Sequence, residues 1–179
     1  VINVNDENPP IITCPDDITI DCPTVPDPVT TGQATATDNN DPNPTITYMD
    51  NITPTNCDGV YTIERTWTAT DDCDNMDACV QLITVQDITP PTINCPADVT
   101  VDCPDDTSPA ATGTATASDL CDANVFIDFS DNFTPTAWDG VFSIVRTWTA
   151  TECNGKVSSC DQLITVQELT PPSITCPVD

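Results

Sequence analysis

Carboxylates are the only abundant ionisable side chains in this sequence, and they gather at recurring places. In the first half these are Asp6 and Glu7, then Asp38 and Asp41, then Asp71, Asp72, Asp74 and Asp77. In the second half Asp87, Asp119, Asp122 and Glu152 stand at corresponding places. Ca²⁺ takes six to eight hard oxygen ligands, and carboxylates converging on a linker both bind it and stiffen the joint. Asp6, Glu7, Asp38, Asp41, Asp71, Asp72, Asp87, Asp119, Asp122 and Glu152 are therefore the candidate Ca²⁺ ligands. The competing reading is that loop aspartates accept hydrogen bonds from their own backbone and cap turns. The chain contains no EF-hand and no glycine-rich nonapeptide loop.

The second kind of chemistry is that of thiols. Eleven cysteines with no CxxC pair and no histidine form a disulfide framework, which places the chain in an oxidising, exported compartment. The lack of histidine also removes Ser-His and Cys-His nucleophile pairs, so no enzyme activity is expected. Paired aspartates on a small sandwich offer no cleft in which to distort a sugar. No cofactor other than Ca²⁺ is implied.

These groups are held by a repeated scaffold. The string RTWTAT occurs at residues 65–70 and again at 146–151. Alternation puts Tyr61, Ile63, Trp67 and Ala69 on one face of the first copy, and Phe142, Ile144, Trp148 and Ala150 on one face of the second. This period of two in a β-branched run marks a half-buried strand. It reads as the central strand of a small sandwich with Trp67 or Trp148 as core anchor. Arg65 and Arg146 fall on the Trp face, each beside a carboxylate or stacked on an aromatic ring.

Around each copy the order is the same. Residues 11–21 form a first strand, 23–32 a turn-rich stretch, 34–38 a second strand, 46–50 a third, and 80–85 the last, each with a counterpart in the second half. No helix is expected. The sequons at Asn51 and Asn132 are each followed shortly by proline and read as turns. Short strands between turn signals predict an all-β chain of two tandem immunoglobulin-like antiparallel β-sandwich domains, stabilised by disulfides.

The boundaries follow from a recurring Pro-Pro followed by Cys-Pro. Cys14, Cys95 and Cys176 lie at matching positions of that pattern. Residues 1–8 read as the last strand and linker of a preceding repeat, 9–89 as repeat 1, 90–170 as repeat 2 and 171–179 as the start of a following repeat, so the parent is an array. Proline pairs hold the joints extended.

Strand directions sort the cysteines. If the chain enters each domain at a leading end and leaves at a trailing end, Cys14, Cys73 and Cys79 fall at the first and Cys22 and Cys57 at the second. The pairs expected are Cys14 with Cys79, Cys22 with Cys57, Cys95 with Cys160, and Cys121 with Cys153. Local rings, Cys14 with Cys22 or Cys73 with Cys79, remain open alternatives. Cys73 and Cys103 are left unpaired, and Cys176 awaits the next repeat.

PPxIxCP at the start, a TDxC turn after the Trp strand and CxxxITVxD at the end resemble the hyalin repeat (HYR) family of extracellular immunoglobulin-like domains. The flavour is similar to the tandem repeats of large surface and gliding adhesins of Bacteroidota. Asn40 and Trp138 stand where that pattern often has cysteine. The resemblance implies adhesion or spacing at the cell surface rather than catalysis.

A formal net charge of -26, from 29 acidic residues against Arg65, Arg146 and Lys156, repels nucleic acid and anionic membranes. No apolar run reaches transmembrane length, so direct membrane insertion is not expected. The function expected is a stiff stalk or spacer in a large extracellular bacterial adhesin or filament, whose partners are the neighbouring repeats. The alternatives are a module that binds surface polysaccharide or protein, and a subunit that self-associates into fibres.

Overall fold

The computed structural model describes residues 6–103, 105–138, 140–170 and 174. The chain divides between Ile88 and Thr89 into two compact units. Both are all-β with the same element order.

In the first unit, β1 (Ile11–Thr13) pairs antiparallel with β3 (Thr35–Thr37) as a small sheet. The larger sheet has the order β2-β6-β5-β4, from β2 (Ile18–Asp21), β6 (Met76–Gln86), β5 (Tyr61–Thr70) and β4 (Thr45–Pro54). The RTWTAT segment thus lies inside the sheet, flanked by β6 and β4. Along β5 the alternation is complete: Ile63, Arg65, Trp67 and Ala69 are buried, while the threonines between them are half-buried. Ile63 packs with Ile20, Ile83 and Val85 in the core.

Residues 11–21 do not form one continuous strand. Cys14 and Pro15 interrupt the ladder, since proline cannot donate to it, and the chain passes from the small sheet to the large one. That crossing makes β2 run parallel to β6, Ile18 opposite Ile83, in an otherwise antiparallel sheet. The Cys14–Cys79 disulfide spans the crossing, joining the end of β1 to β6.

A second departure from expectation is helical. The turn-rich stretch contains a single helical turn, α1 (Pro28–Thr31). Asp27 caps it, its carboxylate accepting from the Thr30 N–H, and proline at the first position has its φ already set. Gly32 ends it at φ 92°, where an added Cβ would sit 2.8 Å from Cβ of Pro15. Only glycine fits that approach. Asn51 lies within β4, and Asn132 within its counterpart, rather than in turns, because the edge strand runs on to Pro54 or Pro135.

The second unit repeats this plan with β7 (Thr92–Asn94), β8 (Val99–Asp102), α2 (Pro109–Thr112), β9 (Thr116–Ser118), β10 (Phe126–Pro135), β11 (Phe142–Thr151) and β12 (Val157–Gln167). Its sheets are β7-β9 and β10-β11-β12-β8, and Cys95–Cys160 bridges them.

The buried arginine organises each core. Arg65 donates through Nε and a terminal nitrogen to both carboxylate oxygens of Asp50, at 2.7 and 2.8 Å. It also donates to the Thr31 hydroxyl and the Pro26 carbonyl, and lies 4.5 Å over the Tyr48 ring. These partners satisfy a cation that is only 2% exposed. Arg146 does the same with Asp131, Thr112, the Thr107 carbonyl and the Phe129 ring. Trp67 stands opposite Cys79 in register, and its indole N–H reaches Gln81. The Gln81 amide in turn donates to the Asp16 and Thr31 carbonyls, tying the helical turn to β6.

Candidate cation site

Three chain segments of the first unit converge at its leading end. They are the approach to β1, the loop after β3 and the loop after β5. Asp38 folds its loop by accepting from the Asn40 and Asp41 N–H groups, both at 2.8 Å. Asp71 does so in the next loop, accepting from the N–H of Cys73 and of Asn75 and from the Asn75 side-chain amide, each at 2.8 Å. Asp6 is tied to both loops. Its carboxylate accepts from the Asn40 side chain at 2.7 Å, and its carbonyl accepts from the Asn75 side chain at 3.0 Å.

The result is a carboxylate trio. One oxygen each from Asp6, Asp38 and Asp71 lies within 4.8 Å of the others. Asp6 and Asp71 are buried, and Oδ2 of Asp38 is a buried atom with no hydrogen-bond partner. Asp41, also buried, and Asp72 line a pocket of about 110 Å³ with Asp6, Asn40, Asp71 and Cys73.

Electrostatics sharpen this geometry. The backbone N–H groups of Asp41 and Asn40 hold the Asp38 carboxyl below its usual value, and the Asn75 side chain does the same for Asp71. Two ionised carboxylates at this separation repel by roughly 3–4 kcal/mol at an effective dielectric of about 20. The only cationic side chain of this unit is Arg65, which is bound to Asp50.

Glu7 is exposed and outside the trio. Asp77 accepts from the Ile12 and Ala78 N–H groups, a structural role. Asp74 occupies a turn at φ 66°.

In the second unit, Asp119 accepts from the Cys121 and Asp122 N–H groups, repeating the Asp38 loop. Asp122 accepts from the N–H of Asn124 and, across loops, from that of Cys153 at 2.9 Å. Glu152 takes the place of Asp71 and is buried. Asp87, also buried, follows β6 in the first unit.

Cys22, Cys57, Cys121 and Cys153 are disulfide-bonded as well. Cys121 and Cys153 occupy the positions of Asn40 and Asp72, so the second unit carries cysteines where the first has polar pocket residues. Cys73 is an exposed free thiol and Cys103 a half-buried one, and Cys176 lies outside the described residues. Trp138, at the position of Cys57, is 74% exposed and lines a groove of about 390 Å³ with Phe133 and Phe142. No helix among the described residues is long and apolar enough to cross a membrane.

Sequence reasoning missed Asn40 and Asn75 as tethers and Asp50 and Asp131 as the arginine partners. The latter were findable, because Asp50 lies on the same face of β4 as Tyr48 and directly opposite Arg65.

No family model and no curated protein matches the chain. Among solved structures it is similar to Drosophila N-cadherin EC1-4 at 13% identity, over 92% of this chain and 51% of that one, with a TM-score of 0.34. Protocadherin gamma C5 EC1-3 matches at 14% identity, over 89% and 68%, with a TM-score of 0.34. Protocadherin gamma B2 extracellular cadherin domains 1-5 match at 17% identity, over 92% and 40%, with a TM-score of 0.35. The chain spans about half the length of the first of these, 51%.

Proposed function

We propose that this chain is a structural segment of a large extracellular surface protein, a tandem array of disulfide-locked acidic sandwiches that serves as a stalk or spacer in adhesion. The observation that carries the reading is the residue-for-residue repetition of the scaffold. Cys14–Cys79 and Cys95–Cys160 each close the same 65-residue separation, and Arg65–Asp50 recurs as Arg146–Asp131. Repetition of the framework, with divergence at loops and edges, is what a modular spacer requires. The hyalin-repeat resemblance and the bacterial surface location belong to the same proposal, as do the bridges Cys22–Cys57 and Cys121–Cys153.

The array takes up Ca²⁺ at the leading end of the first unit. Asp6, Asp38 and Asp71 supply the first oxygens, with Asp41 and Asp72 within the same pocket. A bound ion removes the mutual repulsion of the trio and fastens the segment before β1 to both loops. Thermal unfolding of the non-reduced chain in millimolar Ca²⁺ and in chelator, at matched ionic strength, tests this. We expect an upward shift with Ca²⁺ that Asp38→Asn with Asp71→Asn abolishes. An unchanged Tm in the wild-type chain would reject the site. The spacer reading is tested separately by small-angle scattering on chains of two, four and six repeats, whose maximum dimension should grow linearly with repeat number.

One observation favours a second reading, a binding module for polysaccharide or protein: the exposed Trp138 beside Phe133 and Phe142. Glycan binding that Trp138→Ala abolishes would support it over the spacer alone.

A further inference from the structure

The large sheet of the first unit ends in an unprotected strand. β4 pairs only with β5, through ten consecutive antiparallel positions, and no described strand pairs with its other side. The small sheet consists of three-residue strands, so the inner face of β4 overhangs it. Tyr48 and Ile52 point to that face yet are 48% and 57% exposed, whereas Trp67 and Ile63, directly opposite them on β5, are nearly fully buried. Met49, on the outer face, is 74% exposed.

Soluble proteins usually blunt such an edge with charge, a bulge or an internal proline. β4 has no bulge, and its proline is the terminal Pro54. In a chain with 29 acidic residues its single charge is Asp50, neutralised by both nitrogens of the Arg65 fork. Glu64 lies one strand back, opposite Asn51, whose side-chain amide donates to its carboxylate at 3.4 Å. The equivalent edge β10 differs: Asp131 is bound by Arg146, but Asp128 has no cationic partner. β4 is thus a long, locally neutral edge on a strongly anionic molecule.

We propose that β4 is a self-association edge that pairs antiparallel with β4 of a second copy of this chain. The occupant follows from the register and from the local neutrality of the strand, which a second copy shares. A continuous sheet must keep inner residues opposite inner residues, since a one-residue slip exchanges the faces. Centring the two-fold axis on Met49 does this while pairing nearly the whole strand. Ile46 then faces Ile52 of the partner subunit, Thr47 faces Asn51 of the partner subunit, and Tyr48 faces Asp50 of the partner subunit. A two-residue shift toward the C-terminus would instead set Asp50 against its own copy, so the Met49 register is favoured.

The contact is small. Tyr48, Met49 and Ile52 offer on the order of 300–400 Å² of side-chain surface per copy, and with the paired backbone the total lies at the low end of stable interfaces. Association is therefore weak and opposed by the net charge of -26, a repulsion that salt screens.

Sedimentation equilibrium of the whole chain, with all free thiols alkylated and chelator present, isolates this contact from thiol and cation bridging. The weight-average mass should rise from 19.1 kDa toward twice that value with concentration in 1 M NaCl, and rise less at low salt. Met49→Lys sets two like charges on the axis and should weaken association at least tenfold. Met76→Lys, another exposed methionine, should leave it unchanged. A single 19.1 kDa species up to about millimolar concentration in 1 M NaCl would overturn the proposal. So would association that survives Met49→Lys, or that is lost instead with Ser130→Lys on β10. None of these outcomes bears on the cation or spacer readings.

Discussion

Arg65 and Asp50 face each other across neighbouring strands, two nitrogens of one side chain bonded to two oxygens of the other at 2.7 and 2.8 Å. The cation sits inside the core and the anion at its edge, with side-chain exposures of 2% and 25%. The same guanidinium therefore ties β4 to the core and holds α1 through Thr31.

Removing the arginine should be costly. Arg65→Ala leaves Asp50 without its partner, Thr31 and the Pro26 carbonyl without a donor, and a cavity beside Trp67. The expected loss is about 3–5 kcal/mol, read from denaturant unfolding of the non-reduced chain. Arg65→Lys keeps the charge but not the fork and should recover only part of it. A loss below about 1 kcal/mol for Arg65→Ala would show that the buried network contributes little.

The inter-sheet disulfide closes a long ring. Replacing Cys14 and Cys79 by serine opens a loop of 65 residues, which in the chain-entropy description costs about 4 kcal/mol. Equilibrium unfolding should show that loss in the first unit. Stability equal to wild type would mean that the unfolded chain is already compact without the bridge.

Two glycines of the second unit separate strain from collision. Gly113 and Gly155 both have positive φ, 99° and 87°. An added Cβ meets Pro96 at 2.8 Å in the first case and nothing within 4 Å in the second. Gly113→Ala should therefore destabilise by roughly 2–4 kcal/mol and Gly155→Ala by about 1 kcal/mol. Equal effects in thermal unfolding would contradict the close approach.

Acid should weaken the fold. Asp38, Asp71 and Asp27 all have carboxyls held below the usual 3.8 in the folded state, by backbone or side-chain N–H groups. A lowered folded value contributes stability that is present above about pH 4 and is lost as pH falls through the lowered values. Relief of the net negative charge acts in the opposite direction. We expect urea midpoints to be level from pH 7 to pH 5 and to fall below pH 4. A rise across that acidic range would show that global repulsion outweighs the turn hydrogen bonds.

The sequence was most legible where a side chain's role follows from strand parity alone. Ile63, Trp67 and Ala69 declared the buried face of β5, and the repeated string marked the central strand of each unit. Parity also put Arg65 inside, but its partner required the register between two strands, which no single strand encodes. The crossing at Cys14 and Pro15 was illegible for a related reason. Residues 11–13 and 18–21 look alike as extended runs, and only the geometry of two sheets assigns them to different ones. The helical turn was hidden in a segment rich in proline and threonine, although Asp27 followed by Pro28 is a cap signal in retrospect. At the candidate cation site the acids were visible, but the asparagines that draw Asp6 to both loops were not. Their action depends on loop shape rather than on spacing.

The bridge from Cys14 to Cys79 also decides how the first unit behaves under tension. A pull applied to the chain on either side reaches Cys14 and crosses directly to Cys79 through covalent bonds. The residues between them, including β2, β3, β4 and β5, cannot be drawn out into the stretched chain while the bridge is intact. At about 3.4 Å per extended residue, some 200 Å of contour length is withheld from stretching. The unit yields only its two short flanks, and a strained chain of such units behaves as a nearly inextensible tether rather than as a spring.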